Sequence, residues 1–282
     1  MSENKYPYKT RAVQLAEALR PDSEFYQSYL KKLDEWNESN PIIESKIEVV
    51  EKKELTYIDL NSLLSLFLSS FQSVNNKKFD KNINDGEVFV LLKTIFYYLV
   101  KDVRFFNSPL LNHITEPNFD KGLFIIGGFG CGKTAIMKAI CHLSYEKYND
   151  SVIDLNGTDA KVNDYFKSIF YHSANGIVEE FENCSTNEHK ANFWTKMKAK
   201  YMYVDDLLTE RIASNYGKVE LFKDILEKRE NENKITHVSC NYVNGSLEQT
   251  LDLILSKYGG RVHDRFYSMF NVIELKGKSN RK

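Results

Sequence analysis

Two textures of apolar spacing divide the chain. Up to about residue 84 the apolar positions recur at helical intervals but irregularly. Val13 to Leu19 make a short amphipathic turn ended by Pro21, and Asp22 or Ser23 stands where it can cap a helix running through Trp36, stopped by Asn40-Pro41. A stripe of Leu55, Ile58, Leu60, Leu63, Leu64, Phe67, Leu68 and Phe71 predicts a further helix. The Lys/Asn-rich stretch from Asn75 to Asp85 reads as the linker between an N-terminal helical domain, 1–84, and a second domain, 85–282.

From Glu87 onward apolar runs of strand length alternate with helical periods. Asp85 is expected to cap a helix over Val88 to Phe105, followed by strands at Gly122 to Gly127, Val152 to Leu155, Tyr201 to Val204, Ile235 to Ser239 and Val272 to Leu275. Helical patterns lie at 134–148, 159–170, 188–199, 218–231, 246–257 and 260–269. This alternation predicts an α/β fold with a parallel five-stranded sheet covered on both faces, whose ligands bind at the carboxyl ends of the strands.

The first of those strand ends carries specific chemistry. Residues 121–134 read KGLFIIGGFGCGKT, an apolar run followed by Gly127-x4-Gly132-Lys133-Thr134, which is a phosphate-binding loop. The glycines let Gly127, Gly128, Phe129, Gly130, Cys131 and Gly132 fold tightly enough to turn successive N–H groups inward at a polyphosphate. Lys133 is placed to meet the β- and γ-phosphates, and Thr134 to ligate Mg²⁺. The following helix, with Ala135 in its first turn, points its positive dipole end at the same anion. ATP with Mg²⁺ is the ligand this pattern calls for.

Further along, YMYVDD at 201–206 is a strand ending in two carboxylates, the Walker B arrangement, although a strand running into an Asp-rich turn looks the same. Asp205 would hold Mg²⁺ and Asp206 would orient or deprotonate the attacking water. ITHVSCN ends in Asn241, a candidate for touching the γ-phosphate or the water, and also an ordinary turn residue. Arg261 and Arg265 share a helix face at i, i+4 and either pair with nearby Asp264 or Glu220 or serve a neighbouring subunit as an arginine finger. Lys190 to Lys200, KANFWTKMKAK, mixes four lysines with Phe193 and Trp194: it is either a groove for single-stranded DNA or a helix whose Phe193, Trp194 and Met197 pack inward.

Composition narrows the class. With 282 residues and 42% hydrophobic content the chain can bury one large core or two smaller ones. Its polar first residues and short apolar runs, of which 89–100 is the longest, predict a cytoplasmic protein with no membrane partner. Four cysteines, at 131, 141, 184 and 240, form no Cys-x-x-Cys pair, which argues against a zinc knuckle and a disulfide framework. A net charge of −1 leaves only a local patch for any nucleic-acid surface.

Taken in order, KGLFIIGGFGCGKT, VDDLLTE, NYG, ILEKRE, ITHVSCN, YGGRVHDRF and the terminal GKSNR resemble the AAA+ ATPases of the DnaC/DnaI helicase-loader and IstB transposition-helper clade, over about residues 85–282. The resemblance implies a lid-less αβα P-loop NTPase domain of AAA+ type. It also implies slow, partner-regulated ATP hydrolysis between subunits that self-associate. Lys133 and Thr134 would bind nucleotide and Mg²⁺, Asp205 and Asp206 would form Walker B, and Asn241 would be sensor 1. Arg265 would be the arginine finger with Arg261 beside it, and Arg281 a sensor-2-like arginine acting in cis. A replicative helicase and single-stranded DNA are the implied partners; a transposition helper, or a phage or defence switch binding another protein, are the alternatives. Leu208 departs from the clade, where Gly is common, and Cys131 stands where Thr, Val or Ser is frequent. Residues 1–84 match no family, and their Tyr6, Tyr8, Phe25, Tyr26, Tyr29 and Trp36 form either a docking surface or a small core.

Overall fold

The computed structural model describes residues 60–145, 152–155, 158–161, 167–215 and 217–277. The chain divides into two compact units, Met1–Glu54 and Leu55–Lys282, and every described residue belongs to the second. The helices and aromatic positions expected before residue 60, and Arg281, lie outside the described residues.

Helix α1, Leu60–Asn75, follows the expected apolar stripe. Its Leu63, Phe67 and Phe71 are buried in the same core as Leu123, Ile125, Ile136 and Ile140. The expected boundary near residue 84 therefore falls inside the second unit. The Lys/Asn-rich stretch is tied down by Phe79, which meets Phe67 and Phe71 edge-on at 5.4 and 5.2 Å between ring centroids. Helix α2, Glu87–Leu99, is capped by Gly86 at φ 85°, where the left-handed conformation suits glycine, and not by the side chain of Asp85. The single helix expected through Phe105 is broken: Lys101 turns to φ 57°, and the Asp102 carboxylate accepts the Arg104 N–H to open a 3₁₀ turn over Val103–Asn107.

The chain continues as β1 Leu111–Asn112, β2 Gly122–Gly127, α3 Lys133–Leu143, β3 Val152–Leu155, β4 Thr158–Lys161, β5 Phe170–Ser173, α4 Ala174–Glu182 and α5 Asn187–Met197. There follow β6 Tyr201–Leu207, β7 Ala213–Ser214, β8 Lys218–Val219, α6 Leu221–Asn231, β9 Ile235–Asn241, α7 Leu247–Tyr258, α8 Gly260–Met269 and β10 Phe270–Leu275. Among the described residues the main sheet has six strands in the order β1-β10-β2-β9-β6-β5. Five are parallel, and β1 adds an antiparallel edge on β10, so the expected parallel five-stranded sheet gains one short strand.

Two strand assignments change. Among the described residues Val152–Leu155 pairs with β4 alone, antiparallel in register Leu155↔Thr158, and outside the main sheet. Residues 159–161, the start of the helix expected over 159–170, are strand instead, as the sequence Asn156-Gly157 would suggest, and residues 162–166 lie outside the described residues. The sheet position instead goes to Phe170–Ser173, whose half-exposed edge location gives it too little apolar alternation to stand out. The helix expected from 218 begins at Leu221, because Lys218–Val219 pairs with Ala213–Ser214.

Alternate residues of each strand feed two layers of core. Leu123, Ile125, Tyr203, Ile273 and Leu275 face the side of α1, α2 and α3. Phe124, Ile126, Met202, Val204, Val238 and Val272 face the side of α4 to α8. Strand β2 is buried along its whole length, as a central parallel strand must be. Arg229 of α6 is buried and donates to Thr236 Oγ1 at 2.8 Å and to the carbonyls of Met197, Ala199 and Ile235 at 2.6, 2.8 and 2.7 Å, which ties the entries of β6 and β9 together. Burial lowers its guanidinium pKa to about 10.

Candidate nucleotide site

Strand β2 sits where the sheet order reverses direction, with β10 on one side and β9 on the other, and its carboxyl end opens on a cleft of about 430 Å³. Phe129, Gly130, Cys131, Gly132, Lys133, Thr134 and Ala135 line that cleft, together with Asp206 and Asn241. Gly132 turns the chain into α3 at φ 102°, a conformation closed to other residues without strain. At Gly127 a Cβ would meet Leu275 Cβ at 2.8 Å, so the loop leaves the sheet only because the side chain is missing.

Lys133 is buried and its ammonium donates to the carbonyls of Gly127 and Gly128 at 3.0 and 2.9 Å and to Asn241 Oδ1 at 3.0 Å. The cation thus lies across the mouth of its own loop, and Asn241 reaches it from the end of β9. Asn241 Nδ2 is also 3.5 Å from Asp206 Oδ1, which places the sensor candidate between the lysine and the second acid.

Asp205 is the best-held side chain in the site. Its Oδ1 accepts from Thr134 Oγ1 at 2.9 Å, Tyr203 OH at 2.7 Å and Ser239 Oγ at 2.7 Å, while Oδ2 accepts from Tyr171 OH at 3.2 Å. The Tyr171 and Tyr203 phenols are pushed up in pKa, first by burial and then by the Asp205 charge, so both stay protonated donors. Thr134 and Asp205 together present a hydroxyl and a carboxylate, hard oxygen donors that suit Mg²⁺. Among the described residues no cluster of three His, Cys, Asp or Glu side chains is present to hold a metal by protein groups alone.

Asp206 reaches the cleft through an irregularity, while the buried Asp205 lies behind it, against Thr134. Pairing of β6 with β9 shifts between Val204 and Leu207, placing one extra residue in β6, and Asp206 takes φ 55°. A bulge of this kind re-aims a side chain that strict alternation would send to the opposite face. The Asp206 N–H donates to Ser239 Oγ at 3.2 Å, and Leu208, at φ 75°, sits in a left-handed conformation that favours glycine.

No protein-family model matches the chain, and no curated protein does. Among solved structures it is similar to the crystal structure of the DnaC helicase loader, with 20% identity and a TM-score of 0.42 over 70% of this chain and 93% of that one. It is also similar to the crystal structure of DnaI, with 18% identity and a TM-score of 0.43 over 73% of this chain and 92% of that one.

The remaining candidates lie away from the cleft. Arg265 on α8 pairs with Glu230 at 2.8 Å and donates to Asn231 Oδ1 at 3.0 Å, and Arg261 lies 3.4 Å from Glu227, so both are engaged with α6 and not with Asp264 or Glu220. In the Lys190 to Lys200 stretch, Phe193 and Met197 are buried in the core and Trp194 packs partly against it. Lys196 pairs with Glu180, and Lys198 lies 3.3 Å from Glu232. Lys228 stacks on the Trp194 ring at 3.4 Å. This is the inward-packing helix of the two readings. No helix among the described residues is long and apolar enough to cross a membrane.

Several site residues escaped the sequence reading. Tyr203 and Ser239 lie two positions before Asp205 and Asn241, so strand periodicity placed them on the same faces; Tyr171 was lost with its strand. Asn75, Lys77 and Lys138 line the cleft from outside the motif, and Asn75 Nδ2 donates to Ala135 O at 3.2 Å. Glu87 accepts the N–H groups of Lys276 and Gly277 at 2.8 and 2.7 Å, holding the chain as it leaves β10. Only its place in the first turn of α2 hinted at a carboxylate aimed at backbone donors.

Proposed function

We propose that the chain binds ATP with Mg²⁺ in this cleft and hydrolyses it slowly, as a nucleotide-dependent helper ATPase of AAA+ type. The observation that carries the reading is the Lys133–Asn241–Asp206 line across the loop, underlain by the Thr134–Asp205 hydrogen bond. Lys133 exchanges its carbonyl partners for the β- and γ-phosphates, and the loop N–H groups take the remaining oxygens. Thr134 and, directly or through water, Asp205 would hold Mg²⁺, which when bound would supply positive charge against the phosphate oxygens. Asp206 orients the attacking water or takes its proton, while Asn241 fixes the distance between that carboxylate and the lysine. A shared cleft of three lysines, Lys77, Lys133 and Lys138, suits a polyanion.

The motif resemblance extends the proposal to partners. Self-association would bring Arg265 to a neighbour's γ-phosphate, after release from Glu230; Arg281 would act in cis; and a replicative helicase and single-stranded DNA would be the cargo, the partner-binding role expected of residues 1–84 passing to the first unit, Met1–Glu54. The Lys190 to Lys200 helix is a poor candidate for the strand groove, since its aromatic faces are already committed to packing. The first experiment measures ATP binding and turnover of Asp206→Asn beside the unaltered chain. Binding is expected to persist while turnover drops by about 100-fold, the scale of a lost general base. Equal turnover in both proteins removes Asp206 from the chemistry.

A further inference from the structure

Four residues after Asp206, the chain is fastened at Glu210 to a helix that takes no part in the cleft. Lys257, in the last turn of α7, donates to Glu210 O at 2.7 Å and lies 3.4 Å from Leu208 O and 2.6 Å from Glu210 Oε1. Three acceptors match the three donors of an ammonium group. Tyr258 OH, next along α7, donates to the same Glu210 Oε1 at 2.6 Å. The Glu210 side chain is 1% exposed and its Oε2 is buried without a hydrogen-bond partner among the described residues, so this carboxylate depends on Lys257 for its counter-charge.

Between the bulge and this anchor lie Asp206 at φ 55° and Leu208 at φ 75°, two left-handed non-glycine residues that relax unless held. Thr209, between Leu208 and Glu210, lines the cleft, and both its N–H and its hydroxyl donate to the Asp206 carbonyl, at 3.2 and 2.6 Å. The anchor therefore closes a loop of five residues whose first member is the candidate water-orienting acid.

We propose that Lys257 and Glu210 are a positioning pair that holds the 206–210 turn in its strained form and so aims Asp206 at the cleft. Because α7 passes directly through Gly259 into α8, which carries Arg261 and Arg265, the pair also joins the arginine helix to the acid in one rigid connection. The inference rests on the proposed ATPase reading.

The test uses the full chain with Lys257→Met, which keeps the apolar stem and removes the charge. Turnover is expected to fall by about 10-fold or more while the affinity for a fluorescent, non-hydrolysable ATP analogue stays within about two-fold, a loss in kcat alone. Amide hydrogen exchange, read without nucleotide, should quicken at 206–210 and not along 247–256. Unchanged turnover overturns the proposal, as does a parallel loss of binding and turnover or faster exchange throughout α7, which mark a general structural lesion. If the unaltered chain hydrolyses no ATP, the ATPase reading fails, and exchange at 206–210 still decides the pair: quickened supports it, unchanged overturns it.

Discussion

The cleft at the end of β2 and the helix α5 both drew attention in the sequence, and they fare differently for a physical reason. At the cleft the signal is a demand on the backbone: glycine where φ reaches 102°, no Cβ where Leu275 approaches, then Lys and Thr at fixed distances behind. Few sequences meet those demands by accident. In α5 the signal is composition, lysines beside aromatics, and composition does not say which way a side chain points. The helix turns Phe193 and Met197 into the core and pairs Lys196 and Lys198 with Glu180 and Glu232. Geometry-bearing motifs carry over to three dimensions; residue mixtures await packing.

The comparison is broken most forcefully at Phe193. Phe193→Ala should destabilise the chain by about 3–5 kcal/mol in denaturant unfolding, the cost of deleting a buried ring. The surviving folded fraction should bind nucleotide as before. A ring kept for stacking on bases would be removable at little cost to stability, so a loss under about 1 kcal/mol contradicts the packing assignment.

What the sequence made legible follows the same division. The buried strands at 122–127, 201–207, 235–241 and 270–275 announced themselves as apolar runs, and the loop, the two acids and Asn241 came with them. The edge strand at 170–173 did not, being half exposed, and with it went Tyr171. The bulge that turns Asp206 into the cleft beside the buried Asp205 is a matter of register, which no single-strand pattern contains. Leu208 sits at φ 75°, where glycine would be unstrained, a backbone demand that its apolar side chain does not announce.

A pH measurement sharpens the contrast between cleft and core. His237 is fully buried on β9 with Nδ1 accepting from the Leu123 N–H at 3.2 Å, and burial, aided by the charge of Arg229, lowers its pKa to about 3. The folded chain keeps it neutral while the unfolded chain protonates it below its ordinary value of about 6.5. The unfolded state then binds the extra proton, so this contribution is intact above that value and declines at up to about 1.4 kcal/mol per pH unit as pH falls toward 3. His237→Gln should flatten the stability curve between pH 6 and pH 4, about where the histidine alone titrates most differently in the two states. Parallel curves for the two proteins contradict the buried neutral imidazole.

The smallest effect is expected on the exposed side of α5. Lys196→Glu with Lys198→Glu trades two surface ion pairs for repulsion, which should cost about 1 kcal/mol or less per pair in stability and leave single-strand binding unchanged. A salt-sensitive loss of single-stranded DNA affinity in that double variant, with the fold intact, would return the helix to the nucleic-acid surface.

The central claim is that the β2 loop holds a nucleoside triphosphate through Lys133, and titration with fluorescent ATP in the presence of Mg²⁺ tests it most directly. The unaltered chain should saturate, and Lys133→Ala, with an unchanged unfolding transition, should lose at least about 100-fold in affinity, or about 2.7 kcal/mol. Equal affinity in the two proteins would contradict the account at its root.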